Sequence, residues 1–182
     1  MVQKTYTYKE KIYNRKVKFT GAYAGAIFLI AAFYFLFRSM NFLLIPVMIV
    51  CFYTYWETYV SLANPQEVIV DDRAITFRGV GKEHTFLWKD IYRFQCKEFV
   101  QARKIFLRIN EASMTKGRYW INCYYFNDCD ELYMFLRDKE YEIHPDSIKS
   151  YARRSNEEDL NRRLEAKARG EKPERRRYKV KK

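Results

Sequence analysis

Residues 19–56 read FTGAYAGAIFLIAAFYFLFRSMNFLLIPVMIVCFYTYW, and Arg38 is the one charged residue among them. It separates an uncharged run of 19 residues, Phe19 to Phe37, from one of 18, Ser39 to Trp56. A 19-residue helix rises roughly 28 Å, which matches a bilayer hydrocarbon core of about 30 Å. The second run is edged by Tyr53, Tyr55, Trp56 and Tyr59, aromatic rings suited to the headgroup level. Only Arg38-Ser39-Met40-Asn41 joins the two, enough for a tight reversal. The pattern predicts a two-helix transmembrane hairpin over residues 19–60, with both ends on one side. Lys4, Lys9, Lys11, Arg15, Lys16 and Lys18 precede it, so the positive-inside bias puts both termini in the cytoplasm. A cleavable signal peptide is the competing reading. The second apolar run, following at once, argues against it.

Gly21 and Gly25 are four residues apart, on one face of the first helix, with Ala32 seven further on. Small residues there admit a second helix closely. The occupant is either the second helix of the same hairpin or the first helix of another copy. Pro46 predicts a kink in the second helix.

The flanks hold the excess charge. The chain of 182 residues has 34 Lys and Arg against 22 Asp and Glu, a net +12. Residues 1–18 contribute +5 and residues 153–182 contribute +7, so the intervening stretch is neutral. Basic flanks act on membrane insertion or on anionic partners.

After Pro65 the period changes to two. Val68-Ile69-Val70 meets an Asp71-Asp72-Arg73 turn, then Ala74 to Phe77 and a Gly79-Val80-Gly81 reversal. His84, Phe86 and Trp88 alternate; so do Tyr92, Phe94 and Cys96, with Val100 continuing that face. Ile105, Leu107 and Ile109 alternate next, followed by Tyr119, Ile121 and Cys123. Such runs predict an antiparallel meander of about six strands. Asn127 or Asp128 then caps a helix with Asp130 and Glu131 in its first turn and Arg137 and Lys139 closing it. Its stripe of Cys129, Leu132, Tyr133 and Leu136 needs a sheet to cover. Residues 66–140 therefore read as an α+β domain, a small antiparallel curled sheet or barrel with one C-terminal covering helix. The expected core includes Trp88, Ile91, Leu107, Leu132 and Leu136, with Trp88 inside and near the last two. In residues 1–18, Thr5 to Lys9 reads either as a strand for that sheet or as interfacial tyrosines beside a basic flank.

The order of two membrane helices, an Asp-Asp turn, an Ile-Thr-Phe strand, a glycine turn and Leu87-Trp88-Lys89-Asp90-Ile91 resembles the bacterial YcxB-like membrane proteins. Tyr119 to Phe126 followed by an acidic-capped helix is similar too. The resemblance covers about residues 1–140. It implies a pleckstrin-homology-like (PH-like) cytoplasmic domain and a multi-pass protein of the bacterial inner membrane. It supplies no catalytic residues.

The residues carry no catalytic pattern of their own. Gly79-Val80-Gly81 lacks the third glycine and helix of a phosphate loop. No serine stands in a nucleophile elbow, and Asp71-Asp72 are turn formers. His84 reads as a surface or half-buried strand residue, and His144 precedes Pro145 in a loop. Cys51 lies in a membrane helix, Cys96 and Cys123 in strands, and Cys123, Cys129 and His144 have no zinc spacing. Cytoplasmic placement predicts free thiols. No cofactor and no metal is expected.

Residues 141–182 form a charged tail. Ser155-Asn156-Glu157-Glu158 reads as a capping box for a helix over about 156–169, with Leu160 and Leu164 on one face. Beyond Gly170 the composition predicts disorder. Arg175, Arg176, Arg177, Lys179, Lys181 and Lys182 are the candidate contacts to anionic lipid or to a partner protein. The whole reads as a membrane-anchored, non-catalytic interaction or scaffolding protein. The alternative is a membrane-tethered protein contacting RNA or the ribosome through this tail.

Overall fold

The computed structural model describes residues 3–37, 42 and 44–169. The chain forms two compact units, Met1–Ile143 and His144–Lys182.

The first unit opens with a strand, β1 (Lys4–Thr7), and then turns into helix. Helix α1 (Glu10–Tyr13) widens to i→i+5 hydrogen bonding over Asn14–Phe19 and continues as α2 (Thr20–Phe37). Among the described residues, Glu10–Phe35 is the one helix long and apolar enough to cross a membrane. Helix α3 (Leu44–Tyr59) has 16 residues. It packs antiparallel on α2. A Cβ at Gly21 would lie 2.6 Å from Thr58, and one at Gly25 would lie 2.8 Å from the Tyr55 ring. The Phe28 and Phe52 rings follow at 5.6 Å. The glycine face is therefore occupied by α3. Pro46 makes no mid-helix break, because it is the third residue of α3, where a helix has no intrahelical partner for an N–H.

Seven strands occur among the described residues, in two antiparallel sheets. The first has the order β1, β2 (Glu67–Val70), β3 (Ala74–Gly79), β4 (Lys82–Leu87). β1 pairs antiparallel with β2, Lys4 opposite Val70 and Thr7 opposite Glu67, so the amino terminus supplies an edge strand. The second sheet has the order β5 (Phe94–Phe99), β6 (Lys104–Ile109), β7 (Arg118–Asn122).

The expected single meander is thus divided between β4 and β5, and the sheets do not close into a barrel. Trp88–Asp90 forms a tight 3₁₀ turn, and the Trp88 N–H donates back to the Arg73 carbonyl at 2.9 Å. Asn110 then takes the backbone groups that would have begun a β4–β5 ladder. Its Oδ1 accepts from the Tyr92 and Arg93 N–H groups at 3.1 and 3.3 Å, and its Nδ2 donates to the Asp90 carbonyl at 3.0 Å. Tyr92 and Val100 are consequently exposed, not inward-facing as their spacing predicts.

Both sheets share one core, with Val68, Ile75 and Phe77 from the first against Phe94, Ile105, Leu107, Tyr119 and Ile121 from the second. Phe77 and Tyr119 stack at 4.0 Å and 14°. Helix α4 (Cys129–Ile143) contributes Leu132 and Leu136, both fully buried, and spans from sheet to sheet. At β1, Lys4 and Tyr6 both bond to Glu131; at β5, the Cys96 N–H donates to Glu140 Oε1 at 2.9 Å. Asn127 does not cap α4. Its Oδ1 accepts the Thr7 N–H at 2.8 Å and ties the helix entrance to β1.

In the second unit, helix α5 spans Ile148–Ala168. It starts well before the expected Ser155. Ser147 is the cap, since its Oγ accepts the Ser150 N–H at 3.1 Å. Ser155 lies mid-helix.

Candidate functional site: the junction of helices and sheets

Helix α3 ends at Tyr59, and the chain needs only seven more residues to enter β2. Ser61, Leu62 and Ala63 in that connection are buried, Leu62 with a positive φ of 52°. They are held from three sides. Tyr59 donates its hydroxyl to the Lys18 carbonyl at 2.9 Å, and Tyr13 donates to the Asn64 carbonyl at 3.0 Å. Lys82, in the β3–β4 hairpin, donates to the Val60 carbonyl at 2.8 Å, a cation at a helix C-terminus where the dipole favours it. From the other sheet the Trp120 N–H donates to Ala63 at 2.6 Å, and Trp56 Nε1 reaches the Met114 carbonyl at 3.4 Å. Gly79 lets the sheet come this close. A Cβ there would lie 2.9 Å from the Tyr13 hydroxyl and 3.0 Å from Leu62.

The basic flank joins this junction in part. Lys16 bonds to the Tyr125 hydroxyl and lies over its ring at 4.3 Å, and Lys18 lies over the Tyr13 ring at 5.7 Å. Lys9, Lys11 and Arg15 are exposed. A cleft of about 300 Å³ opens beside the β3–β4 hairpin, lined among others by Gln66, Glu67, Arg78 and Glu83. Arg78 spans it with ion pairs to Glu83 at 2.9 Å and Glu67 at 3.5 Å. These pairs tie β2, β3 and β4 together at one end of the sheet.

Between the sheets His84 Nδ1 lies 2.8 Å from the Tyr119 hydroxyl. Burial, then the nearby Lys116 and Lys82 ammonium groups, depress the His84 pKa, while burial raises that of Tyr119. The four cysteines are free, and burial pushes the Cys123 thiol up to about 12. Among the described residues no three His, Cys, Asp or Glu side chains gather as a metal would require.

Of the residues singled out from sequence, Gly21 and Gly25 meet α3, and Ile91, Leu107, Leu132 and Leu136 are buried. Trp88 is partly buried and packs against the core, its ring 6.1 Å from that of Phe94 and 6.2 Å from that of Phe135. Its Nε1 donates to the Asp71 carbonyl at 2.9 Å. Arg175, Arg176, Arg177, Lys179, Lys181 and Lys182 lie outside the described residues. Sequence reasoning missed the His84–Tyr119 contact and Glu140. The latter was legible as the next step of the stripe Leu132, Leu136, Glu140. No family model, curated protein or solved structure matches the chain.

Proposed function

We propose that this chain is a membrane-anchored, non-catalytic interaction protein of the YcxB-like kind, a transmembrane hairpin carrying a PH-like cytoplasmic scaffold domain in the bacterial inner membrane. The observation that carries the reading is the pairing of β1 with β2. These strands flank the helices, so a chain that crosses the bilayer in α2 must come back in α3 to complete the sheet. Sixteen residues rise about 24 Å, and Tyr59 and Trp56, aromatics suited to the headgroup level, tie the end of α3 to Lys18 and Met114. The outward apolar side chains of both helices, such as Leu29, Ile30, Phe33, Ile49 and Val50, support a lipid environment. Sheets of four and three strands with α4 joining them support the PH-like reading. The basic tail adds contact to anionic lipid or a partner protein.

The test is thiol accessibility in intact cells, in a background without native cysteines. Single cysteines near the amino terminus and at position 150 should resist membrane-impermeant reagents, and labelling of either overturns the topology. Capture of the full chain in detergent tests the role. Stoichiometric recovery of one protein supports the scaffold, whereas nuclease-sensitive recovery of ribosomes overturns it in favour of RNA contact.

A further inference from the structure

The sheet β5–β6–β7 turns one face to the core and the other outward. The outward face carries four cations and no acid. Its first row is Gln95, Arg108 and Arg118, its second Lys97, Phe106 and Trp120, its third Phe99, Lys104 and Asn122. Arg108 and Arg118 are directly opposed on neighbouring strands, an arrangement that costs stability unless an anion lies between them. Both are exposed, and neither has a carboxylate partner among the described residues.

The rows run away from the helix ends. Arg118 stands close enough to Tyr53 of α3 to act on it electrostatically, whereas Trp120 bonds to Ala63, beyond the end of α3. The first row is thus the one on the side of Tyr53. The second lies about 7 Å further along the strands and the third about 14 Å, at roughly 3.4 Å per residue. The headgroup layer is only about 5–7 Å thick, and screening in physiological salt sets in at about 8 Å.

We propose that this face is a second lipid-binding surface, on which Arg108 and Arg118 together hold the phosphate of an anionic phospholipid while Lys97, Phe106 and Trp120 line its approach. Lys104, about 14 Å along the strands from the paired arginines, stands over the Trp120 ring at 4.3 Å. The proposal rests on the membrane-anchored reading above and adds to it a headgroup preference set by the folded domain.

The test is electron paramagnetic resonance of spin-labelled phosphatidylglycerol and phosphatidylcholine around the full chain reconstituted in vesicles. Each surface cation is worth about fivefold, so Arg108→Gln with Arg118→Gln should cut the preference for phosphatidylglycerol about twenty-five-fold. Arg108→Lys with Arg118→Lys should retain most of it, and Lys104→Gln should change it less than about twofold. Because the paired glutamines relieve like-charge repulsion, their thermal unfolding should be no lower than that of the natural protein. An unaltered preference in the double glutamine variant overturns the proposal, as does a larger effect at Lys104. Loss of nuclease-sensitive RNA from that variant, with lipid preference unchanged, overturns it in favour of a nucleic-acid surface. Release of the full chain by alkaline carbonate would instead overturn the membrane reading itself. Retention with an indifferent double variant sinks the lipid surface alone.

Discussion

At Trp88 the chain leaves the strand whose alternation it continues, and the indole follows the turn instead of the sheet. It is partly buried against Phe94 and Phe135, and Lys139 lies over the ring at 5.2 Å. Trp88→Ala should therefore cost about 2 kcal/mol, below the 3–5 kcal/mol of a fully buried tryptophan, and leave the domain folded. Chemical denaturation of the full chain in detergent checks this, and a loss of folding would place the ring in the core. His84 has the opposite character, with no signal in sequence beyond its strand position. Its folded pKa lies below the ordinary value of about 6.5, so the unfolded chain binds the extra proton first. Stability is then intact above about pH 7 and falls as pH drops through 6.5 toward the lower folded value. The midpoint of thermal unfolding should decline between pH 7.5 and 5.5, and His84→Gln should flatten that slope. Equal slopes for the two proteins would remove His84 from the account.

At the scale of elements, two small residues decide how the helices meet. Gly21 and Gly25 press against Thr58 and Tyr55 closer than any side chain allows. Gly25→Leu should overpack this seam by about 1–3 kcal/mol and part the helices without disturbing the sheets. The measurement is cross-linking between Phe28→Cys and Phe52→Cys in a cysteine-free chain, whose yield should fall sharply when Gly25→Leu is added. Undiminished yield would mean that the glycine seam does not set this contact. The spacing of the glycines is legible in sequence as a place of close approach. What approaches is not, because α3 and another copy of α2 satisfy the same spacing. The β4–β5 division was hidden for a similar reason. Period-2 alternation marks Phe86 and Phe94 as inward-facing, but which strand receives their backbone bonds depends on Asn110, some 16 residues beyond Phe94.

For the molecule as a whole, the charge is divided between a neutral centre and two basic ends. Residues 171–182 alone carry +5. Apart from Pro173, Tyr178 and Val180 they are all charged, so deleting them should leave insertion and unfolding temperature unchanged. Preference for anionic lipid around the full chain should fall and become less sensitive to salt. No change in lipid preference would mean that the tail acts elsewhere. The three basic regions are separable in this way. The tail is removed by deletion, the sheet face by neutral substitution, and the flank of residues 1–18 is anchored by β1 and the contacts of Lys4, Lys16 and Lys18.

Sequence alone was sufficient for the uncharged runs, the strand periodicity, the turn at Asp71-Asp72-Arg73 and the amphipathic helix over Leu132 and Leu136. Each depends on residues within one or two turns of each other, and the burial of an apolar stripe is a local demand. Tertiary structure decided the remainder: that residues 4–7 join a strand 60 or more positions away, that the strands form two sheets, and that Trp88 packs on Phe94 and Phe135. Those outcomes turn on which distant backbone donors and acceptors find each other. Asn110, Asn127 and Glu140 settle that through side-chain hydrogen bonds to backbone groups, and a polar side chain carries no mark in sequence of the partner it will meet.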